Sequence, residues 1–153
     1  MTAEKHISDL QSHLGFWLRF LSNHVSHRFA QRLEQTGVTV AEWVILREMF
    51  DMETMAPSAL AEKTGLTRGA VSKLIERLRA KKLVTRVEAA GDRRFQDVGL
   101  TATGRALVPS LAAIADANDT EFFRHLNNME RKQLMATLKT LVQANGLSKI
   151  PTE

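Results

Sequence analysis

Apolar residues recur along residues 9–35 at steps of three, four and seven: Leu10, Leu14, Trp17, Leu18, Leu21, Val25, Phe29 and Leu33. That spacing predicts one stripe on one long helix, with Arg19, Asn23, Arg28 and Arg32 mostly on its other faces. A helix of about 27 residues spans roughly 40 Å. This exceeds what the chain needs for its own core, so part of the stripe is expected to meet another chain. Gly37 ends the helix. Thr39 and Glu42 then have the spacing of a capping box, and Val38 and Trp43 that of a hydrophobic staple. Val40, Trp43, Val44, Leu46 and Met49 continue a second helix to about Phe50.

Residues 51–56 form a short connector. Pro57 suits the first turn of a third helix, where its missing N–H costs nothing, and Gly65 closes it. Thr67 is a good N-cap for a fourth helix over 68–81. Two short helices joined by about three residues with a Gly in the turn have the form of a helix-turn-helix. The runs 83–89 (LVTRVEA) and 95–100 (FQDVGL) favour strands, and the Gly91-Asp92 between them predicts a hairpin. Thr101 caps a long Ala-rich helix carrying Leu107, Leu111, Ile114, Phe122 and Phe123, which Pro109 should kink or reset. A last helix starts near Asn127 or Asn128, with Asn127 and Glu130 spaced for capping. It carries Leu134, Leu138, Leu141 and Val142 and stops at Gly146.

Charge sharpens this picture. Residues 57–105 hold 11 Lys and Arg against 5 Asp and Glu, while residues 1–56 hold 5 against 7 and residues 106–153 hold 5 against 5. A basic middle between neutral-to-acidic flanks suits a polyanionic partner, although a solvated basic face would have the same composition.

On the fourth helix, Val71, Leu74, Ile75 and Leu78 fall on one arc, which should pack on the third helix. The opposite arc holds Gly69, Ser72, Lys73, Glu76 and Arg77, bordered by Arg68 and Arg79. The N-terminal end of such a helix fits a DNA major groove. Gly69 would let backbone approach closely. Thr67 and Ser72 can hydrogen-bond to base edges or phosphates. Arg68 and Lys73 can reach guanine O6 and N7, and Arg77, a turn further on, suits phosphate. Taken alone, the helix could equally be an ordinary amphipathic one with a charged outer face.

Enzymatic chemistry finds little to stand on. The chain has no Cys, which removes thiol nucleophiles, thiolate metal sites and thiol redox sensing. It has no phosphate-binding Gly-rich loop, no G-x-S-x-G, no H-E-x-x-H and no acidic cluster for magnesium, so neither an enzyme nor a cofactor is expected. His24 and His27, three apart with His6 and His13 upstream, make a poor zinc site, so metal-responsive control is a weaker alternative and no metal is expected. No apolar run is long enough for a membrane span and the N-terminal residues lack a signal-peptide core, so a cytoplasmic location is expected and no membrane partner.

The hairpin and the start of the fifth helix carry a more specific signal. Residues 92–104 read D-R-R-F-Q-D-V-G-L-T-A-T-G, with Asp92, Arg93, Arg94, Leu100, Thr101 and Gly104 at their marked places. This resembles the wing signature of the MarR family of bacterial transcription regulators: Asp-x-Arg, five residues, Leu-Thr, then Gly. The run SALAEKTGLTRGAVSKLIERL resembles the family's helix-turn-helix, and the likeness extends over roughly residues 10–145.

The resemblance implies a mainly α fold with a small β wing: a winged helix-turn-helix with long N- and C-terminal dimerisation helices. It divides the chain into residues 1–36 (first dimerisation helix), 37–105 (DNA-binding lobe) and 106–153 (C-terminal dimerisation helices). It implies a homodimer whose two recognition helices read an inverted-repeat operator in double-stranded DNA, with repression the commoner outcome. Leu10, Leu14, Leu134, Leu138, Leu141 and Val142 are the expected dimer residues, though some could instead close an intrachain bundle.

The family's wing Arg falls on Arg94, with Arg93 beside it as a second cation; such a tip suits a narrow minor groove. Asp92 would orient Arg94 or cap the turn. Small phenolic or aromatic-carboxylate effectors are common in the family, and His13, Trp17, His24, Trp43 and Arg47 are the candidates here for such a pocket. Trp17 and Trp43 also lie on apolar faces, where a core role is the simpler one. One position departs from the family: Lys82 stands where a Gly usually ends the recognition helix. If the backbone there is left-handed, Lys costs on the order of 1 kcal/mol. A protein-interaction module with a degenerate helix-turn-helix is the remaining alternative; the intact row of Arg68, Ser72, Lys73, Arg77 and Arg94 argues against it.

Overall fold

The computed structural model describes residues 6–88 and 96–152. Within them the chain runs through α1 (Leu14–Glu34), α2 (Val40–Phe50), α3 (Pro57–Thr64), α4 (Arg68–Ala80), β1 (Val84–Glu88), β2 (Gln96–Leu100), α5 (Ala102–Phe122) and α6 (Asn128–Ala144). This is the winged helix-turn-helix that the sequence leads one to expect.

Side-chain caps set most of the helix starts. Thr39, Thr67, Thr101 and Asn127 sit in extended backbone and accept from the amides of Glu42, Ala70, Gly104 and Glu130. Glu42 and Glu130 accept in return from the amides of Thr39 and Asn127, completing two capping boxes. Each such cap contributes about 1 kcal/mol.

The first helix is shorter than its stripe predicts. Residues Leu10–Ser12 form a separate 3-10 turn, and His13 is extended, with φ −94° and ψ 127°. Local polar bonds explain the break. The Ser12 hydroxyl donates to the Asp9 carbonyl at 2.6 Å, and the Trp17 indole N–H reaches back to the Gln11 carbonyl at 2.8 Å. Short polar side chains compete in this way with helical backbone bonds. Pro109 does not reset α5, which runs unbroken across it. Both Pro109 and Arg105, whose carbonyl loses its helical donor, are exposed, so water can replace the missing bond.

One core joins these elements. Leu33 from α1, Ile45 and Leu46 from α2, Leu60 from α3, Val71 and Leu78 from α4, Val98 from β2 and Leu111 from α5 are all fully buried in it. The strands pair antiparallel, from Val84 opposite Leu100 to Glu88 opposite Gln96. The connector after α2 joins this sheet: Met55 and Val98 exchange both backbone bonds at 2.8 Å. α6 buries no residue against the rest of the chain. Beyond it the tail returns to the helix-turn-helix, where the Ile150 N–H donates to the Thr64 carbonyl at 2.8 Å.

Candidate nucleic-acid interface

α3 and α4 meet at Gly65, whose left-handed backbone (φ 69°) ends α3, and Leu66 and Thr67 carry the chain into α4. On α4, Val71, Leu74, Ile75 and Leu78 are buried, while Thr67, Arg68, Gly69, Ser72 and Lys73 are exposed. The helix thus has one face fixed in the core and the predicted polar row outside. A methyl group added at Gly69 would meet nothing within 4 Å, so the backbone there is open to close approach.

Beside this row lies a cleft of about 340 Å³ between the start of α3 (Ala56, Pro57, Ser58), Arg68 and Ser72 of α4, and Gln96 and Asp97 of β2. Sequence reasoning misses Ser58 and Gln96. They come to the site only because β2 folds back past the start of α3, and no local motif marks them. Asp92, Arg93 and Arg94 lie outside the described residues.

The second half of α4 is tied to its neighbours. Glu76 accepts from Arg86 on β1 and from Arg79 at 3.1 Å, and these two guanidinium groups, Arg86 foremost, hold its carboxyl below the usual carboxylate range. Arg86 also donates to Gln96 Oε1 at 3.4 Å, so helix and hairpin are fastened together. Arg77, predicted to face phosphate, has one nitrogen 3.1 Å from Oε1 of the buried Glu42, and its side chain remains 54% exposed.

Lys82 takes the left-handed conformation directly, with φ 60°. Around it, Lys82 N–H bonds the Arg79 carbonyl at 2.9 Å and Leu83 N–H the Leu78 carbonyl at 3.0 Å, the paired bonds of a Schellman ending. The departure from Gly therefore changes the strain of this turn and leaves its geometry intact.

Residues 36–94 match the family model described as MarR family. A curated HTH-type transcriptional regulator of Bacillus cereus is 26% identical over 143 residues, covering 90% of this chain and 93% of the relative. Among solved structures, BpsR of Bordetella bronchiseptica is similar at 27% identity and TM-score 0.78, covering 89% of this chain and 97% of BpsR. MepR of S. aureus, solved as a DNA complex, is similar at 25% identity and TM-score 0.78, covering 86% of this chain and 98% of MepR.

Over its helix-turn-helix lobe the chain is similar to the MarR family. It is a DNA-binding transcriptional regulator of the winged-helix type. It pairs a helix-turn-helix with a two-stranded antiparallel sheet. Among its described residues no helix is long and apolar enough to cross a membrane, and no three or more His, Asp or Glu are grouped to hold a metal ion.

The five effector candidates do not share one cavity within the chain. Trp43 lines a space of about 240 Å³ with Ser26, Phe29, Val40, Val44 and Pro151. Arg47 donates to Asp51 at 2.9 Å and lies 6.0 Å from the Phe50 ring centre. His13 just before α1, and Trp17 and His24 on it, are exposed; His13 is bonded to the Leu10 carbonyl at 3.2 Å, and His24 packs on Phe20 with ring centres 5.0 Å apart. The reason is the reach of α1: its first half extends past the lobe that holds Trp43 and Arg47.

The six predicted dimer residues are all exposed on the single chain, from Leu138 at 38% to Leu14 at 82%. Ile7, Leu18, Phe20, Leu21 and Met135 are likewise exposed.

Proposed function

We propose that this protein acts as a homodimer that binds an inverted-repeat operator in double-stranded DNA and represses transcription until a small anionic aromatic molecule releases it. The observation that carries the reading is the row Thr67, Arg68, Gly69, Ser72 and Lys73, exposed on a helix whose other face is fixed in the core. Arg68 and Lys73 would read guanine, Thr67 and Ser72 base edges or phosphate, and Gly69 would admit the backbone. Arg77 would take phosphate, and Arg93 and Arg94 would enter the minor groove, with Asp92 orienting the tip. The DNA complex of MepR supports this use of the fold.

The dimer reading rests on exposed apolar residues of α1 and α6, a surface that soluble monomers rarely leave contiguous. Two-fold pairing would set the recognition helices about 34–36 Å apart, matching successive major grooves. In BpsR, DNA binding is regulated by 6-hydroxynicotinic acid, which favours an aromatic acid here. Because His13, Trp17 and His24 stand apart from Trp43 and Arg47 within one chain, we assign the pocket to the assembled dimer.

Selection from a randomised duplex pool tests the core of the reading. Enriched sequences should contain two half-sites one helical turn apart, and Lys73→Ala should lower affinity and relax base preference. A folded dimer that enriches no sequence at low ionic strength would overturn it. The selected duplex then serves for titration with a panel of phenols and aromatic acids; failure of every compound to shift affinity by about fivefold or more would remove the effector from the proposal.

A further inference from the structure

Glu42 is the third residue of α2 and is fully buried. Its Oε2 accepts from the Lys81 ammonium at 2.7 Å and from the Thr39 amide at 3.2 Å. Lys81 is anchored in turn, since it also donates to the Gly37 carbonyl at 2.7 Å. Oε1 differs: it is buried and receives no hydrogen bond from the described residues, although Arg77 Nη2 stands 3.1 Å away. Arg77 is thus held by charge and not by a directed bond.

We infer that Glu42 is a positioning residue for the contact between Arg77 and the DNA backbone. The inference rests on the DNA-binding reading above. Lys81 already supplies a countercharge and a hydrogen bond at Oε2, so Arg77 is not the sole cation facing Glu42. The Arg77 side chain is 54% exposed. A guanidinium has five N–H donors, and none of Arg77's is spent on Oε1. Arg77 also lies one turn beyond Lys73, on the same side of α4. Immobilising a long flexible side chain costs rotamer entropy, which a fixed charge beneath it meets before DNA arrives. A carboxylate that withheld Arg77 from DNA would instead saturate it with short directed bonds, and Oε1 makes none.

A double-mutant cycle in the full chain tests this: unmutated, E42Q, R77A and E42Q/R77A. The probe is a pool of random-sequence duplexes of about three helical turns, since a phosphate contact acts on any sequence. Gln keeps the side-chain length and can still accept from the Thr39 amide. E42Q should weaken binding about three- to tenfold when Arg77 is present and not at all in the R77A chain. Equal loss in both backgrounds would mean a purely structural role; a gain, or no change, would also overturn the inference.

A second readout needs no substitution at position 42. In the DNA-free, unmutated chain the Arg77 side-chain N–H should be ordered by NMR relaxation, and an order parameter below about 0.6 would contradict pinning. If the unmutated chain bound no duplex at all, the DNA-binding reading would fall with the inference. If it bound and R77A bound equally well, the inference alone would fall.

Discussion

Gly104 packs directly against the carbonyl of Leu83: a Cβ at position 104 would stand 2.1 Å from that oxygen and 3.0 Å from its carbon. The same carbonyl accepts from the Thr101 N–H at 3.1 Å, while the Thr101 hydroxyl caps the amide of Gly104. The Leu-Thr and Gly of the wing signature therefore seat the first turn of α5 on the chain entering β1. Gly104→Ala requires backbone to move, because both colliding atoms belong to the main chain. The expected loss is about 3 kcal/mol or more, at the severe end for overpacking. Urea unfolding of the variant at fixed protein concentration measures it, and a loss below about 1 kcal/mol would mean that α5 shifts freely.

At the neighbouring turn the expected sign is opposite. Lys82 holds φ 60° within a complete set of Schellman bonds, with Leu78 and Leu83 buried on either side. Gly adopts that conformation without steric cost. Lys82→Gly should stabilise the fold by about 1 kcal/mol, reduced somewhat by the greater freedom of Gly in the unfolded chain. An unchanged or lower unfolding midpoint would show that the Lys82 side chain contributes more than its backbone costs.

The two turns illustrate what can be read from sequence. Local signals are legible: Thr39 with Glu42, Thr67, Thr101 and Asn127 with Glu130 all cap as their spacing predicts. The stripe of α4 is legible for the same reason, since helix periodicity needs only neighbours in the chain. Failures come where distant or competing groups decide. Ser12 and Trp17 make the first helix start late, through polar bonds that an apolar stripe does not reveal. The pairing of Met55 with Val98 joins residues 43 positions apart. Glu42 reads as a cap alone, because nothing local says that α4 will bring Arg77 and Lys81 beside it. The effector candidates share a chemistry, and a single chain does not gather them.

Acid should loosen the junction of α1 and α5. Glu121 pairs with Arg28 and Arg32 of α1, and the bond from Arg32 leads the influences that hold its carboxyl below the ordinary value. A carboxyl depressed in the folded state stabilises fully above its unfolded value of about 4.3 and loses that contribution as pH falls through the folded one. Glu121→Gln removes the charge at every pH. The variant should therefore unfold at a lower temperature than the parent near neutral pH, with the gap closing as pH falls through the depressed folded value. The groups are substantially exposed, so the gap should also shrink in high salt. A gap independent of pH would assign the effect to packing instead of charge.

The uncovered face of α6 makes the remaining prediction. Leu134, Leu138, Leu141 and Val142 repeat at helical spacing, and all are partly open to solvent, although α6 contains no buried residue that would otherwise explain its apolar stripe. Leu10 in the 3-10 turn and Leu14 at the start of α1 are further exposed apolar side chains, the latter 82% exposed. If a second copy covers these side chains, Leu138→Asp places an unpaired charge in the interface, and the dimer dissociation constant should rise by about a hundredfold or more. Sedimentation at micromolar concentration should then find monomers where the parent is dimeric. The lobe core holds none of these residues, so its fold should persist in the monomer. DNA affinity should fall steeply on a duplex with two half-sites and little on one with a single half-site, because only the former profits from a linked pair of recognition helices. A variant that stays dimeric, or that loses affinity equally on both duplexes, would place the contact between copies elsewhere.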